Sequence, residues 1–428
     1  MKKSPDSFLD SMRSSIQDRR GISGAFMASD FSKYQWGVKI PHLMMEYLFG
    51  LNVIPMPTII ELAGMPGSCK SAFLQYLMSI YAKADMMAMM LETEGKMSNT
   101  LLDSFLREFA DRVLIDIGPM SQEQWMAELL NALKNYRKAY SDALDKYLSG
   151  KKKGIELLTP FLVGLDSLGG AASEETIETT DRDKSVGRSY PIEALKNSRF
   201  FSQLPVRMRD LPMTLVYTNH EQTRLTEQKG PFAVQAPRSS QGGKRPEYYC
   251  GLRVFFECTD KPKTTQHVTS QKVVMEVTKN SFSEKSQKFS VPMCWKVEID
   301  PETGANRQLT WFNWVKALTD FLAPSSGEAK YEKSEVKKFL NVERHSETSF
   351  SCRELGLSKV SPEEIGAAIE ADQDLVARLR PWLGIKTWRV WDGKPLIEKV
   401  TAELDMEDPD LNVSEAEVQE AEEVVETT

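Results

Sequence analysis

Short apolar runs alternate with stretches of helical spacing through the middle of the chain. Thr58–Ala63, Met86–Leu91, Val113–Ile117, Phe161–Leu165 and Met213–Tyr217 carry almost no polar positions and predict buried strands. Between them, Lys70–Ala82, Gln122–Leu148 and Pro191–Arg209 repeat apolar residues three and four apart and predict helices. Buried strands alternating with helices predict an α/β fold with a mostly parallel central sheet covered on both faces. Leu252–Glu257, Lys272–Thr278 and Ser290–Val297 follow one another without helices, so antiparallel strands are expected to extend that sheet. Outside this region the pattern is weaker. A polar helix is expected at Ser7–Arg20, a Gly/Ser turn at Gly21–Gly24 and a linker around Ala323–Gly327. Residues 330–395 read as a small unit with helices at Ser334–Leu340 and Pro362–Leu379, its Trp382, Trp388 and Trp391 belonging to a core. The expected organisation is an N-terminal segment (1–50), a core (51–310), a small C-terminal domain (311–400) and a tail (401–428). No internal repeat is visible.

With 428 residues, 41% hydrophobic and 27% charged, the chain can bury a large core. It contains no run of 18 apolar residues, and its first residues lack the apolar stretch of a secretory signal, so a cytoplasmic protein with no membrane partner is expected. Five scattered cysteines without CxxC spacing argue against a disulfide framework or a zinc site. The net charge of −7 hides a split. Residues 401–428 hold eleven acids and no Lys or Arg, which leaves residues 1–400 at +4. Such an end is a solubilising disordered tail or a competitor for a cationic surface.

The most informative stretch runs from Glu61 to Ser71 and reads ELAGMPGSCKS. It leaves a buried strand and enters a helix, with Gly64 and Gly67 in the turn. Backbone N–H groups of such a turn, Ser68 and Cys69 included, converge on an anion with help from the helix N-terminus. Lys70 would neutralise the β- and γ-phosphates of ATP, and the Ser71 hydroxyl would ligate Mg²⁺. Cys69 stands where the motif G-x-x-x-x-G-K-[ST] has Gly, so a strict pattern would miss this loop. Two carboxylates follow at the ends of later strands. The segment Met90–Glu94 places Glu92 and Glu94 after the second strand, where a carboxylate could orient and deprotonate an attacking water. The segment Phe161–Ser167 is an apolar run ending in Asp166, the Walker B arrangement for holding Mg²⁺.

Together these motifs resemble the RecA-type recombinases, most closely their phage UvsX-like branch, over roughly residues 20–300. The resemblance implies a RecA-like P-loop ATPase core with a small C-terminal domain, and an N-terminal segment serving oligomerisation, Gly24–Ala28 docking on the next subunit. It implies Glu94 as the general base and Asp166-Ser167 as the Walker B end. His220, in the pair Asn219-His220, would sense the γ-phosphate. The stretch Gly169–Tyr190 matches a first DNA loop with Arg182, Lys184 and Arg188, and the helix after it offers Lys196, Ser198 and Arg199. Residues 221–247 match a second DNA loop. There Arg224, Lys229, Arg238, Lys244 and Arg245 supply charge, Phe232 a wedge between bases, and Gly242-Gly243 phosphate-binding amides. Lys279 is the candidate to reach the ATP of a neighbouring protomer, with Lys285 and Lys288 as substitutes.

What the resemblance implies as a whole is an ATP- and Mg²⁺-dependent recombinase. It would form helical filaments of itself on single-stranded DNA, pair that strand with homologous duplex DNA in recombination and repair, and work with a single-strand-binding protein or loader. Phage origin would place it in the host bacterial cytoplasm. Two other readings stand beside it: a RecA-fold hexameric DNA helicase, and an ATP-bound DNA scaffold in which Cys69 has stopped hydrolysis.

Overall fold

The computed structural model describes residues 35–149, 159–174, 176–177, 189–222, 239–240, 243–259, 261–265, 267–283, 287–300, 303–324 and 340–392. The helix expected at Ser7–Arg20, the turn at Gly21–Gly24, the docking segment Gly24–Ala28, all but the last residue of Ser334–Leu340 and the acidic tail lie outside the described residues.

Trp36–Lys39 (β1) and Val53–Pro55 (β2) precede the central sheet. That sheet is built from Thr58–Gly64 (β3), Met87–Glu92 (β4), Val113–Ile117 (β5), Phe161–Asp166 (β6), Met213–Gln222 (β7), Leu252–Cys258 (β9), Val268–Asn280 (β11), Lys288–Ile299 (β12) and Asn306–Phe312 (β13). Their order across the sheet is β13-β12-β11-β9-β3-β7-β6-β4-β5. Two short strands flank this path: Ser239–Ser240 (β8) pairs with β7, and Lys263–Thr265 (β10) with β11. From β5 to β9 every pairing is parallel. From β9 to β13 every pairing is antiparallel. Val342–Arg344 (β14), Phe350–Cys352 (β15) and Leu357–Val360 (β16) form a separate small antiparallel sheet, followed by Arg389–Val390 (β17).

The inner parallel strands are buried because both faces are covered, and neighbouring residues divide between two cores. β5, expected to be buried, is instead the edge strand and leaves Leu114 and Ile117 exposed. Ile60, Leu62, Met90 and Leu162 pack on one side with Phe73 and Leu77 of the helix Lys70–Lys83. Ile59, Leu91, Val163 and Leu215 pack on the other with Trp125 and Leu129 of Gln122–Leu148 and Phe200 and Leu204 of Ser189–Met208. A sheet sandwiched this way has no wet face, so its strands read as nearly unbroken apolar runs. In chain order the helices are Leu43–Phe49 (α1), Lys70–Lys83 (α2), Asn99–Phe105 (α3), Gln122–Leu148 (α4), Ser189–Met208 (α5), Arg245–Tyr249 (α6), Trp314–Leu322 (α7), Pro362–Ala371 (α8) and Gln373–Leu383 (α9).

Two further expectations are corrected. The strand predicted over Leu252–Glu257 is not antiparallel to its first neighbour: β9 runs parallel to β3, Leu252 opposite Ile60 and Phe256 opposite Gly64. The connection from β7 is long enough for the crossover that parallel pairing requires. The helix predicted over Pro362–Leu379 is two helices. Asp372 leaves helical geometry at φ −85°, ψ 97° and accepts the Leu375 amide at 3.0 Å, which starts α9 anew.

The two ends of the described chain meet. β1 pairs antiparallel with β2 and parallel with β17. Trp391 lies 5.1 Å from Trp36 ring to ring, Trp388 packs edge-on to Phe282, and Trp382 also lies against the larger core. Arg380 of α9 forms a fork with buried Glu46 of α1, at 2.7 and 2.8 Å. Burial raises the Glu46 pKa, and the Arg380 guanidinium opposes that rise. Arg380→Ala leaves this carboxylate unpaired and should lower unfolding stability by about 3 kcal/mol in urea titrations. Replacing both partners by Leu should cost less than the single change, because no orphaned charge remains.

Candidate functional site

The C-terminal ends of the parallel strands gather the residues singled out for the nucleotide site, Lys279 apart. β3 ends at Gly64, whose φ is +152°. A Cβ there would lie 2.3 Å from the Phe256 carbonyl oxygen and 2.8 Å from Ser68 Oγ, so only glycine fits the approach of the loop to β9. The loop then turns through Gly67 and opens α2 at Lys70. Cys69, immediately before Lys70, takes φ +71°, the left-handed conformation that glycine adopts without cost. The Sγ of Cys69 lies 3.7 Å from Cys258 Sγ at the end of β9, and Cys258 Sγ lies 3.6 Å from the Gly67 carbonyl oxygen.

Lys70 is folded back into the turn. Its Nζ donates to the carbonyl oxygens of Gly64 at 2.9 Å and Met65 at 2.8 Å, and to Ser68 Oγ at 3.4 Å. Burial lowers its pKa, while the charges of Asp166 and Glu94 favour the ammonium. One buried cation therefore sits at the mouth of a loop, at the N-terminus of a 14-residue helix, in the field of two carboxylates. Free amides at a helix N-terminus and a compact ammonium make a receptor for a polyanion. Ser71 is half-buried in the first turn of α2.

The two carboxylate strands are clamped together. Glu92 and Asp166 are level across β4 and β6. Thr93 donates its amide to the Asp166 carbonyl oxygen at 2.9 Å and its hydroxyl to the Ser167 carbonyl oxygen at 2.9 Å, and accepts the Ser167 amide at 3.1 Å. This clamp delivers Glu94 to Ser167, whose hydroxyl donates to Glu94 Oε1 at 2.6 Å. His220 Nε2, from β7, lies 3.2 Å from the same oxygen, and Lys96 Nζ is 3.1 Å from Oε2. Burial pushes the Glu94 carboxyl up, but hydrogen bonds from Ser167, Lys96 and His220 outweigh it and bring the pKa down to about 2. Gly170 is needed beside it, since a Cβ there would lie 2.5 Å from Glu94 Cγ. Glu92 is buried, and its Oε1 accepts the amides of Glu94 and Lys96, so it shapes the turn that presents Glu94. Asp166 Oδ1 accepts the Thr218 hydroxyl of β7.

Among the described residues no group of three or more His, Cys, Asp or Glu is placed to hold a metal ion alone. Ser71 and Asp166 are both hard oxygen donors and fit Mg²⁺, which commonly takes only one or two protein ligands and completes its shell with phosphate and water.

The expected DNA contacts divide. Arg182, Lys184, Arg188, Arg224, Lys229, Phe232, Arg238 and Gly242 lie outside the described residues, as does Lys285. Gly243, with φ +86°, rests on α5: a Cβ there would lie 3.2 Å from Ala194 Cβ. Lys244 and Arg245 are exposed at the start of α6, which packs against α5, the helix that carries half-buried Ser198 and Arg199. Lys196 is instead buried against Glu123 at 2.6 Å. Lys279 is not brought to Lys70. It stands on β11 opposite Arg253, two strands from β3, and its Nζ donates to the Glu247 and Tyr248 carbonyl oxygens at 2.7 Å each, closing the end of α6. Lys288 pairs with Glu276.

Sequence reasoning missed a buried polar chain beneath the loop. Glu61 of β3 accepts Arg253 Nε of β9 at 2.9 Å and Asn219 Nδ2 of β7 at 3.1 Å, holding the loop strand to both neighbours. The acid within an otherwise apolar strand was the available signal. A large cavity, about 1560 Å³, lies elsewhere among the described residues, between β11, β12 and α7; Lys288 lines it, but none of Gly64–Ser71, Glu94 or Asp166 does. No protein-family model matches the chain, and no curated protein matches it. No helix among the described residues is long and apolar enough to cross a membrane.

Proposed function

We propose that this chain is an ATP-dependent DNA recombinase with a RecA-like core, assembling as a filament on single-stranded DNA and exchanging that strand into a homologous duplex. The observation that carries the reading is the convergence of Lys70 and Ser71 after β3, Glu94 after β4 and Asp166 at the end of β6 along one edge of one parallel sheet. β7 stands between the Lys70 strand and the Asp166 strand, and its His220 reaches Glu94.

In this reading the loop amides and Lys70 bind the phosphates of ATP. Mg²⁺, held from Ser71 and Asp166, neutralises phosphate charge. Glu94 takes a proton from the attacking water, with Ser167 and His220 fixing its orientation. Lys279, remote from the Lys70 of its own chain, would act on the nucleotide of the next protomer. Immediately beyond His220, β7 pairs with β8, Glu221 opposite Ser240 and Gln222 opposite Ser239. One strand thus runs from the Glu94 contact to both flanks of the second DNA loop, a route by which nucleotide state biases DNA binding. A single-strand-binding protein or loader would assist assembly.

The deciding experiment measures phosphate release with and without single-stranded DNA, then exchange between a circular single strand and a linear duplex. Release stimulated by single strands together with joint-molecule formation is expected. Unwinding of a forked duplex without exchange would replace the reading by a helicase, and filaments without release by a scaffold. A second test uses the exposed pair at the start of α6. Lys244→Ala with Arg245→Ala should weaken binding to all single-stranded sequences alike and flatten the salt dependence, by about 0.7 in log–log slope for each phosphate no longer neutralised. An unchanged slope would remove both residues from the interface.

A further inference from the structure

The only two described cysteines that are not buried face each other across the phosphate loop. Cys69 and Cys258 are half-buried, whereas Cys250, Cys294 and Cys352 are buried. The two sulfurs are 3.7 Å apart although the residues are 189 positions apart in sequence. Their elements are held in fixed relation. Cys258 ends β9, Cys69 ends the loop that leaves β3, and β3 and β9 are paired from Ile60–Leu252 to Gly64–Phe256. Beneath them the Glu61–Arg253 ion pair ties the same two strands together. The arrangement thus places two accessible thiols in contact, one on a rigid strand end and one next to Lys70.

We propose that Cys69 and Cys258 are a thiol modification site: they form a reversible disulfide that takes the phosphate loop out of its binding geometry. The consequence for nucleotide rests on the phosphate-loop reading above; the bond itself does not. The oxidant is a small-molecule disulfide such as oxidised glutathione. One protein sulfur attacks it, forming a mixed disulfide and releasing the first small thiol. The second protein sulfur then attacks the protein sulfur of that mixed disulfide and releases the second small thiol. Two protein thiols are oxidised, one small disulfide is reduced, and the two protons leave on the released thiols.

The bond requires the sulfurs to close from 3.7 Å to about 2.05 Å. β9 is paired on both sides, with β3 and with β11, so the loop is the partner that yields. The Cys69 carbonyl oxygen also accepts the Phe73 amide at 3.0 Å as α2 begins, so a pull on Cys69 is felt by Lys70 and the first turn. A misplacement of about 1 Å in a reacting group can cost about 100-fold in rate. Oxidation should therefore lower ATP turnover by at least about 10-fold, and dithiothreitol should restore it.

The test titrates the full-length protein with oxidised glutathione, quenches in acid, alkylates free thiols and maps the peptides by mass spectrometry. Support is a cross-linked Cys69–Cys258 species, lighter by two hydrogens, that appears while Cys250, Cys294 and Cys352 remain alkylated. Turnover should fall along the same titration, and Cys258→Ser should lose the sensitivity while keeping its reduced turnover. Separate glutathione adducts on the two residues with no cross-link would overturn the proposal. So would a cross-link that leaves turnover unchanged, or a Cys258→Ser protein still inhibited by the oxidant. Reduced protein that neither binds nor hydrolyses ATP would refute the phosphate-loop reading and the switch with it, whatever the cross-link yield.

Discussion

Lys70→Ala should lower ATP turnover by at least about 100-fold, the scale expected when a cationic clamp on a transferring phosphoryl group is removed. No other Lys or Arg lies between Gly64 and Ser71 to take over. The ammonium is already inside the turn, on the Gly64 and Met65 carbonyl oxygens, and a phosphate entering the loop would exchange those acceptors for its own oxygens. The charge is kept there against burial by Asp166 and Glu94, two groups that have their own place in the proposed chemistry. Lys70→Arg should not rescue, because a planar fork cannot replace a compact ammonium in so tight a loop. The measurement is phosphate release at saturating single-stranded DNA, with thermal melts showing that both variants fold. Turnover close to wild type would place the phosphate site elsewhere. The cleft between β11, β12 and α7, lined by Lys261, Lys263 and Lys272, would then be the place to look.

The inner parallel strands were legible because burial on both faces leaves a continuous apolar signature; the edge strand Val113–Ile117 carries the same apolar pattern although Leu114 and Ile117 are exposed. Val113–Ile117 and Gln122–Leu148 have the limits that their patterns predict, and the latter begins with a capping box at Ser121 and Gln124. What escaped depends on partners distant in sequence. The direction of β9 is set by the long connection before it, not by its own residues. Helix α1 is buried on every side, so Leu43–Phe49 has no amphipathic period to detect. The pairing of Trp36 with Arg389 joins positions that no local pattern connects. Only the break at Asp372 was readable beforehand, from an acid placed where a helix cap belongs.

The candidate site divides in the same way. Gly64, Gly67 and Lys70 follow from a local spacing that the loop geometry demands, and Glu94 and Asp166 from acids at strand ends. The groups that tune them come from other strands: Thr218 on Asp166, Ser167 and His220 on Glu94, Asn219 and Arg253 on Glu61. Spacing announces which residues arrive at the edge of a sheet, but not which of them will touch. Lys279 shows the reverse case. Its place in a motif pointed to nucleotide, whereas within its own chain the ammonium closes a five-residue helix.

Glu94→Gln should preserve ATP binding and lower turnover by about 100- to 10,000-fold, the range for loss of a positioned general base. The amide retains the shape but cannot accept the proton of the attacking water. It also replaces one of two acceptor oxygens with a donor, in a place where Ser167, His220 and Lys96 all approach as donors. The expected phenotype is filaments that form on single-stranded DNA with ATP and then persist. Glu92→Gln should act differently, because Glu92 Oε1 accepts the Glu94 and Lys96 amides rather than facing the loop. It should loosen the turn and lower thermal stability along with turnover. The pH profile adds a check with a definite sign. Burial raises Glu94, its three hydrogen-bond partners lower it by more, and the carboxyl ends at about 2. A carboxylate depressed in this way contributes its favourable interactions above its unfolded value of about 4.3, and loses them only as pH falls through the folded value. Wild-type turnover between pH 4 and pH 5, which lies about two units above that folded value, should therefore show no acid limb from this group. An acid limb in that interval that disappears in Glu94→Gln would mean Glu94 titrates as an ordinary carboxylate, and its contacts with Ser167 and His220 would not hold in solution.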